Sequence, residues 1–190
     1  LLFIVNVDWF FVSHRLPIAL AAIKAGYEVH IATKITNKYE ELSSHGLIIH
    51  PLPIDRSKAN FFHEVHAFIN ILRTLKKIQP DILHLVTIKP IIYGGIAARI
   101  TKIKNVVVAI SGLGFIFTEQ GLKARLRRFL VEFAYKIALK QPCLKVIFQN
   151  PTDLSILSKI VQLNDKQTTI IPGSGVDLSI YKDTVEPTTN

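Results

Sequence analysis

The sequence predicts an α/β domain built on an open, mainly parallel sheet of seven strands with helices on both faces. Two observations carry that prediction. Apolar runs of strand length alternate with amphipathic helical stretches along the chain, the order expected of parallel strands joined by covering helices. Apolar residues make up 49% and charged ones 19% of the 190 residues, which excludes a disordered or coiled-coil chain and leaves enough material for one full core.

Taken in order, strands are expected at Leu2 to Val7, Glu28 to Thr33, Leu47 to Leu52, Asp81 to Val86, Asn105 to Ser111, Leu144 to Gln149 and Thr168 to Ile171. Helices are expected at Ser13 to Ala25, Lys38 to Ser44, Asn60 to Ile78, Pro90 to Thr101, Lys123 to Lys140 and Pro151 to Ile160. Gly26 follows the first helix where a residue of positive φ is wanted. Asn150, Pro151 and Asp153 combine a cap, a first-turn proline and a first-turn acid. Gly94 and Gly95 would weaken the helix that holds them, which close packing on a neighbour explains.

In such a sheet, ligands sit outside the carboxyl ends of the strands, where loops lead into helix N-termini. The first of these loops, Asp8 to Arg15, replaces the glycines of a dinucleotide-binding turn with Asp8, Trp9, Phe10, Phe11, Val12, Ser13, His14 and Arg15. Ser13 can cap the following helix, whose N-terminus favours an anion, and Arg15 supplies a guanidinium fork for phosphate. His14 can donate to the same anion. The alternative is that Trp9, Phe10 and Phe11 roof the sheet while His14 and Arg15 face water. Pro17 fixes where the helix begins.

The fourth loop places Lys89 before Pro90, an ammonium beside a helix N-terminus. That pairing is unfavourable unless an anion sits between the two. In the fifth loop, Ser111, Gly112 and Gly114 allow close backbone approach to an oxyanion or sugar hydroxyls, and Phe115 to Phe117 give it an apolar tip.

The formal charge is +9, and between Gly121 and Lys145 seven basic residues stand against Glu132 alone, a net +6. Within that stretch, Leu122, Leu126, Phe129, Leu130, Phe133 and Ile137 fall at helical spacing, with Lys123, Arg125, Arg127, Arg128 and Lys136 around them. Such a helix is either a membrane-surface element or a solvated cover of the sheet. Nucleic acid is not an expected partner, because the aromatics are not interleaved with the bases and no nucleic-acid motif occurs.

The single cysteine, Cys143, forms no internal disulfide and fits a reduced cytoplasm. His63 and His66 share a helix face without a third ligand, so no metal site is expected. No apolar run approaches the length of a membrane span, and the first residues lack the features of a signal peptide. The absence of methionine and the strand-like start at Leu1 suggest a segment of a longer protein, with residues 173–190 beginning a linker.

In that order, "NVDWFFVSHRLPIALAAIKAGYEVHIAT", "PDILHLVTIKPIIYGGIAAR", "AISGLGFIFT", "VIFQNPTD" and "IIPGSGVDLSIY" resemble the amino-terminal half of bacterial family 4 glycosyltransferases of GT-B fold, in the branch that builds capsule, O-antigen and other lipid-linked glycans. The resemblance implies a Rossmann-like, acceptor-binding lobe over residues 1–172, with a donor-binding carboxyl-terminal lobe absent. It also implies a retaining transfer of a sugar from a UDP- or GDP-linked donor to a lipid-linked or glycan acceptor. The isolated lobe would be inactive. No cofactor is implied, since the nucleotide-sugar is a substrate. Asp8, Trp9 and Phe10 match the family's cleft loop, and Ser13, His14, Arg15, Lys89, Ser111 and Gly112 match positions for acceptor or phosphate. Many relatives carry a histidine where Ser111 and Gly112 stand, so His14 is the candidate imidazole. The basic helix would hold the lobe on an anionic membrane surface, placing the protein in the cytoplasm at the inner face of the membrane. The lobe architecture is shared with sugar-nucleotide epimerases, so an epimerase is one alternative, and a basic nucleic-acid- or membrane-binding α/β module is another.

Overall fold

The structure is a computed structural model and describes residues 1–55, 60–113 and 121–175. Among the described residues, seven strands are joined by seven α-helices. The chain runs β1 (Leu2–Val7), α1 (Asp8–His14), α2 (Leu16–Lys24), β2 (His30–Lys34), α3 (Tyr39–Ser44) and β3 (Ile48–Pro51). It continues with α4 (Phe61–Ile78), β4 (Ile82–Val86), α5 (Ile88–Thr101), β5 (Asn105–Ile110), α6 (Leu122–Ala138), β6 (Cys143–Phe148), α7 (Pro151–Val161) and β7 (Thr168–Ile170). The strand order is β3-β2-β1-β4-β5-β6-β7, with every neighbouring pair parallel. The order reverses between β1 and β4, which places the crevice of the sheet at their carboxyl ends.

Strand alternation sorts the core into two layers. Leu2, Ile4, Leu83, Leu85, Val106, Val108, Val146 and Phe148 point to the face covered by α4, α5, α6 and α7. Phe3, Val5, Ile31, Val86 and Ala109 point to the other face, where Phe11 of α1, Ala19 of α2 and Leu42 of α3 meet them. The tight glycine packing expected in α5 is present. A Cβ on Gly94 would fall 2.4 Å from Leu85 Cδ2, and one on Gly95 would fall 2.6 Å from the Ala138 carbonyl oxygen of α6. Asn150 caps α7 by accepting from the Asp153 N–H at 2.8 Å, and Gly26 has φ +89°.

The first loop departs from expectation. Asp8 to His14 is a helix, not a turn, and a second helix follows after a break at Arg15. No glycine or proline interrupts residues 8–15, and Phe11 anchors the turn by packing edge-on against Phe3, ring centroids 5.3 Å apart. The break falls where Pro17 removes an N–H and its ring collides with the carbonyl of a continuous helix. Ser13 therefore lies inside α1 and does not cap α2, and its hydroxyl donates to the Phe10 carbonyl at 3.3 Å. Similarly, α5 begins at Ile88, ahead of Pro90.

The basic helix also differs in which side it buries. α6 packs on α5 through small or inward residues, with Ala124, Tyr135 and Ala138 buried. Its apolar stripe faces outward, with Leu122 83%, Leu126 62%, Phe129 64%, Leu130 56% and Phe133 57% exposed. Lys123, Arg125, Arg127 and Lys136 are exposed, while Arg128 is half-buried. No helix among the described residues is long and apolar enough to cross a membrane.

Candidate functional site

A hollow of about 900 Å³ opens on the side of the sheet that carries α1 and α2. Its floor comes from His84 of β4, Ala109 and Ile110 of β5, and Ile147 and Gln149 at β6. One wall is the α1–α2 break, Val12 to Ile18, and the rim includes Ile171 and Gly173 to Gly175 after β7. It exists because no helix of the described chain covers this face over β5 and β6, so the side chains there have no roof.

Ser13, His14 and Arg15 all border this hollow, as the sequence placed them together. The His14 ring stacks on Phe10, centroids 4.2 Å apart, and its Nδ1 lies 2.6 Å from Ser13 Oγ and 3.2 Å from the Phe10 carbonyl. Arg15 is only 7% exposed. Its Nη1 donates to the His14 carbonyl and to Ser174 Oγ, both at 3.0 Å, which draws the segment after β7 toward the helix break. Burial lowers the guanidinium pKa from its ordinary value, and its Nε has no hydrogen-bond partner.

His84 is the residue that sequence reasoning passed over. It is 7% exposed, stacks on Phe3 at 4.9 Å, and has no partner for Nε2. Burial, aided by the Arg15 charge, holds its ring neutral with a pKa of about 4. The available signal was a polar residue in the middle of the apolar run "DILHLV", on the alternation face that carries Phe3.

Other expected site residues lie elsewhere. Asp8 is fully buried and does not line an open cleft. Its carboxylate accepts from the N–H groups of Thr36, Asn37 and Lys38 and from Thr36 Oγ1, at 2.6 to 3.2 Å. Burial alone would raise its pKa, but these bonds outweigh it and hold the carboxyl below the usual range. It ties β1 to the turn before α3. Trp9 is 45% exposed and Phe10 is half-buried.

Lys89 is not among the residues that border the hollow. Its ammonium donates at 2.6 Å to both Glu64 Oε1 and the Asp55 carbonyl, and Tyr93 donates to Glu64 Oε2 at 2.6 Å. The anion that Lys89 meets is thus the Glu64 carboxylate, from α4. Burial, together with the hydrogen bond and charge of Glu64, raises the pKa of the Tyr93 hydroxyl. Ser111 and Gly112 are exposed after β5, and neither borders the hollow. Gly114 and Phe115 to Phe117 lie outside the described residues, as do residues 176–190 of the expected linker.

An open parallel sheet with a largely apolar hollow beside the β1 crossover fits many enzymes, and comparison with known proteins narrows it. A family model described as glycosyl transferase 4-like matches residues 1–150. The chain belongs to that family. A curated relative of this glycosyl transferase 4-like chain is the N,N'-diacetylbacillosaminyl-diphospho-undecaprenol alpha-1,3-N-acetylgalactosaminyltransferase of Campylobacter jejuni. The two are 26% identical over 167 residues, covering 88% of this chain and 44% of the relative. The chain therefore spans less than half the length of that protein.

Solved structures share the fold. A Rickettsia africae glycosyltransferase superposes with a TM-score of 0.65 at 16% identity, over 95% of this chain and 44% of its own. Anabaena HepE, in complex with UDP and glucose, gives 0.63 at 15% identity over 96% and 46%. A UDP-GlcNAc 2-epimerase from Methanocaldococcus jannaschii gives 0.60 at 15% identity over 89% and 44%. The Rossmann-like sheet is thus the one found in GT-B glycosyltransferases.

Proposed function

We propose that the chain is the acceptor-side lobe of a retaining glycosyltransferase that moves a sugar from a UDP- or GDP-linked donor to a lipid-linked acceptor in surface-glycan synthesis. The observation that carries this reading is the outward stripe of α6. A family glycosyltransferase gains nothing in water from five exposed large apolar side chains on one helix, but they suit a bilayer that holds the acceptor. Lys123, Arg125, Arg127 and Lys136 flank the stripe, and each contributes about 1 kcal/mol near an anionic surface. The protein then works at the inner face of the cytoplasmic membrane. The Campylobacter relative, whose name specifies a diphospho-undecaprenol acceptor, supports the same acceptor class.

Within this reading, Ser13, His14 and Arg15 hold the anionic head group from the hollow. Lys89, in the first turn of α5, and Ser111 and Gly112, after β5, lie outside that hollow, and catalytic carboxylates belong to another part of the protein.

The test uses the full protein with a labelled UDP- or GDP-sugar, a prenyl-diphosphate sugar and anionic vesicles. Label passes to the lipid fraction, the protein sediments with vesicles, and Leu126→Glu with Phe129→Glu releases it. A protein that stays in the supernatant and labels no lipid does not fit this reading. The epimerase neighbours support a second one, marked by appearance of an isomerised sugar nucleotide without any acceptor.

A further inference from the structure

α6 is not alone in turning large apolar side chains outward. On α4, Phe61 and Phe62 are 74% and 81% exposed, and Val65 and Ile69 are exposed as well. Phe62, Val65, Ile69, Arg73 and Lys76 follow one another at steps of three or four residues, so they share one side of the helix. That side is apolar over its first turns and basic over its last, where the exposed Lys77 joins it. α6 likewise carries its five exposed apolar residues early, between Leu122 and Phe133. Glu64 is the single acid of α4, and Glu132 is that of α6.

The two helices stand where they can act together. Every strand pair is parallel, and α4 and α6 each lead into the amino end of a strand, so their own N-termini lie at the carboxyl edge of the sheet, beside the crevice. α5 runs between them and is sunk inward, with Gly94 close to Leu85 of β4 and Gly95 close to Ala138 of α6. Its one large exposed apolar side chain, Ile100, lies at the far end. α4 and α6 are thus two ridges whose apolar ends meet the crevice. Glu64, one turn from Phe61, fixes the first of these ends, because it accepts from both Lys89 and Tyr93 of α5.

We infer that the crevice ends of α4 and α6 together seat the lobe on an anionic bilayer, with the carboxyl edge of the sheet toward the lipid. This rests on the membrane reading of α6 and adds to it a second contact and a posture. Lying flat on the layer of α4 to α7 would put the whole sheet between the bilayer and the hollow, which opens on the other face. Standing on two helix ends brings the crevice to the lipid instead. Charge decides between occupants. A second copy on the same face would set Arg73, Lys76 and the bases of α6 against their own kind. RNA would leave Phe61, Phe62 and the α6 stripe in water. An anionic bilayer matches both the apolar ends and the bases.

The experiment mixes the full protein with vesicles of phosphatidylglycerol and phosphatidylethanolamine and follows sedimentation and amide hydrogen exchange. The protein binds, and the first-turn amides of α4 and α6, which lack intrahelical partners, exchange several-fold more slowly on the vesicles, while those of α2 and α3 do not change. Phe62→Ser with Ile69→Ser weakens binding about tenfold or more, and Arg73→Gln with Lys76→Gln weakens it several-fold. Tyr39→Ser, at an exposed site on α3, leaves it unchanged. Wild-type affinity in the Phe62 and Ile69 variant overturns the second contact. So does first-turn exchange of α4 that fails to slow at saturation, or that is already slow without vesicles because another part of the protein covers it. Release by Leu126→Glu with Phe129→Glu beside any of these results spares the membrane reading of α6. A wild-type protein that binds no vesicle removes both. Lipid-free self-association that Phe62→Ser abolishes, or RNA binding at physiological salt in place of vesicle binding, overturns the choice of a bilayer. The exchange measurement needs no variant and so survives any folding defect.

Discussion

Two rows of side chains cross the same four strands and meet different fates. Leu2, Leu83, Val106 and Leu144 are register partners across β1, β4, β5 and β6, and all are buried, none more than 3% exposed. One residue further along, on the opposite face, Phe3, His84, Val107 and Lys145 form the neighbouring row. There, burial fades from complete at Phe3, through half-buried Val107, to exposed Lys145. The first row lies under four helices. The second is roofed by α1 and α2 only at its β1 end, and the composition changes where the roof stops. Stability is invested on one face, and the open half of the other leaves the hollow that Arg15 and His84 border.

The sharpest way to break this comparison is within β6, where Phe148 and Ile147 are adjacent and point to opposite faces. Phe148 is fully buried, so Phe148→Ala should cost about 3–5 kcal/mol. Ile147 is half-buried, and Ile147→Ala should cost about 1 kcal/mol. Urea midpoints of the two variants measure the difference. Equal losses in the full protein would mean that another part of it covers the open half.

A second prediction uses pH on the open side alone. The folded protein holds His84 neutral to about pH 4, while the unfolded chain takes up the proton near 6.5. Above pH 6.5 neither form is charged and the stability is complete. Between 6.5 and about 4 only the unfolded chain gains the proton, so stability falls by on the order of 3 kcal/mol before the slope vanishes. His84→Gln should flatten the urea midpoint across this window. An equally steep profile in the variant would assign the loss to other groups.

The roofed face was legible in the sequence, and the open one only in part. Strand period and helix spacing are local, so all seven strands and the parallel order of elements followed from them, as did the close approach at Gly94 and Gly95. The helix over Asp8 to His14 was not legible, because none of those seven residues is a strong helix former. What failed was direction across long separations. Nothing near Lys89 announces that Glu64 comes to meet it from another helix, or that Ser174 reaches Arg15 across 159 positions. For α6, spacing identified the apolar stripe correctly, but the smaller Ala124 and Ala138 allow the closer approach to α5 and so take the buried side.

The smallest expected effect lies at the edge where the two faces meet. Thr87, at the end of β4, has φ 73° and ψ 158°, a conformation that essentially only glycine adopts without strain, and its β-branched side chain makes it worse. The hydroxyl donates to the Val86 carbonyl, which offsets part of the cost without changing the backbone. Thr87→Gly removes the clash while adding freedom to the unfolded chain, so the net gain should be about 1 kcal/mol, read as a rise in the urea midpoint. Thr87→Ala separates the two terms, because it keeps the strained Cβ and loses the hydrogen bond. It should destabilise where Thr87→Gly stabilises. A gain in both variants would show that the hydroxyl, and not the backbone, is the costly feature at the mouth of the crevice.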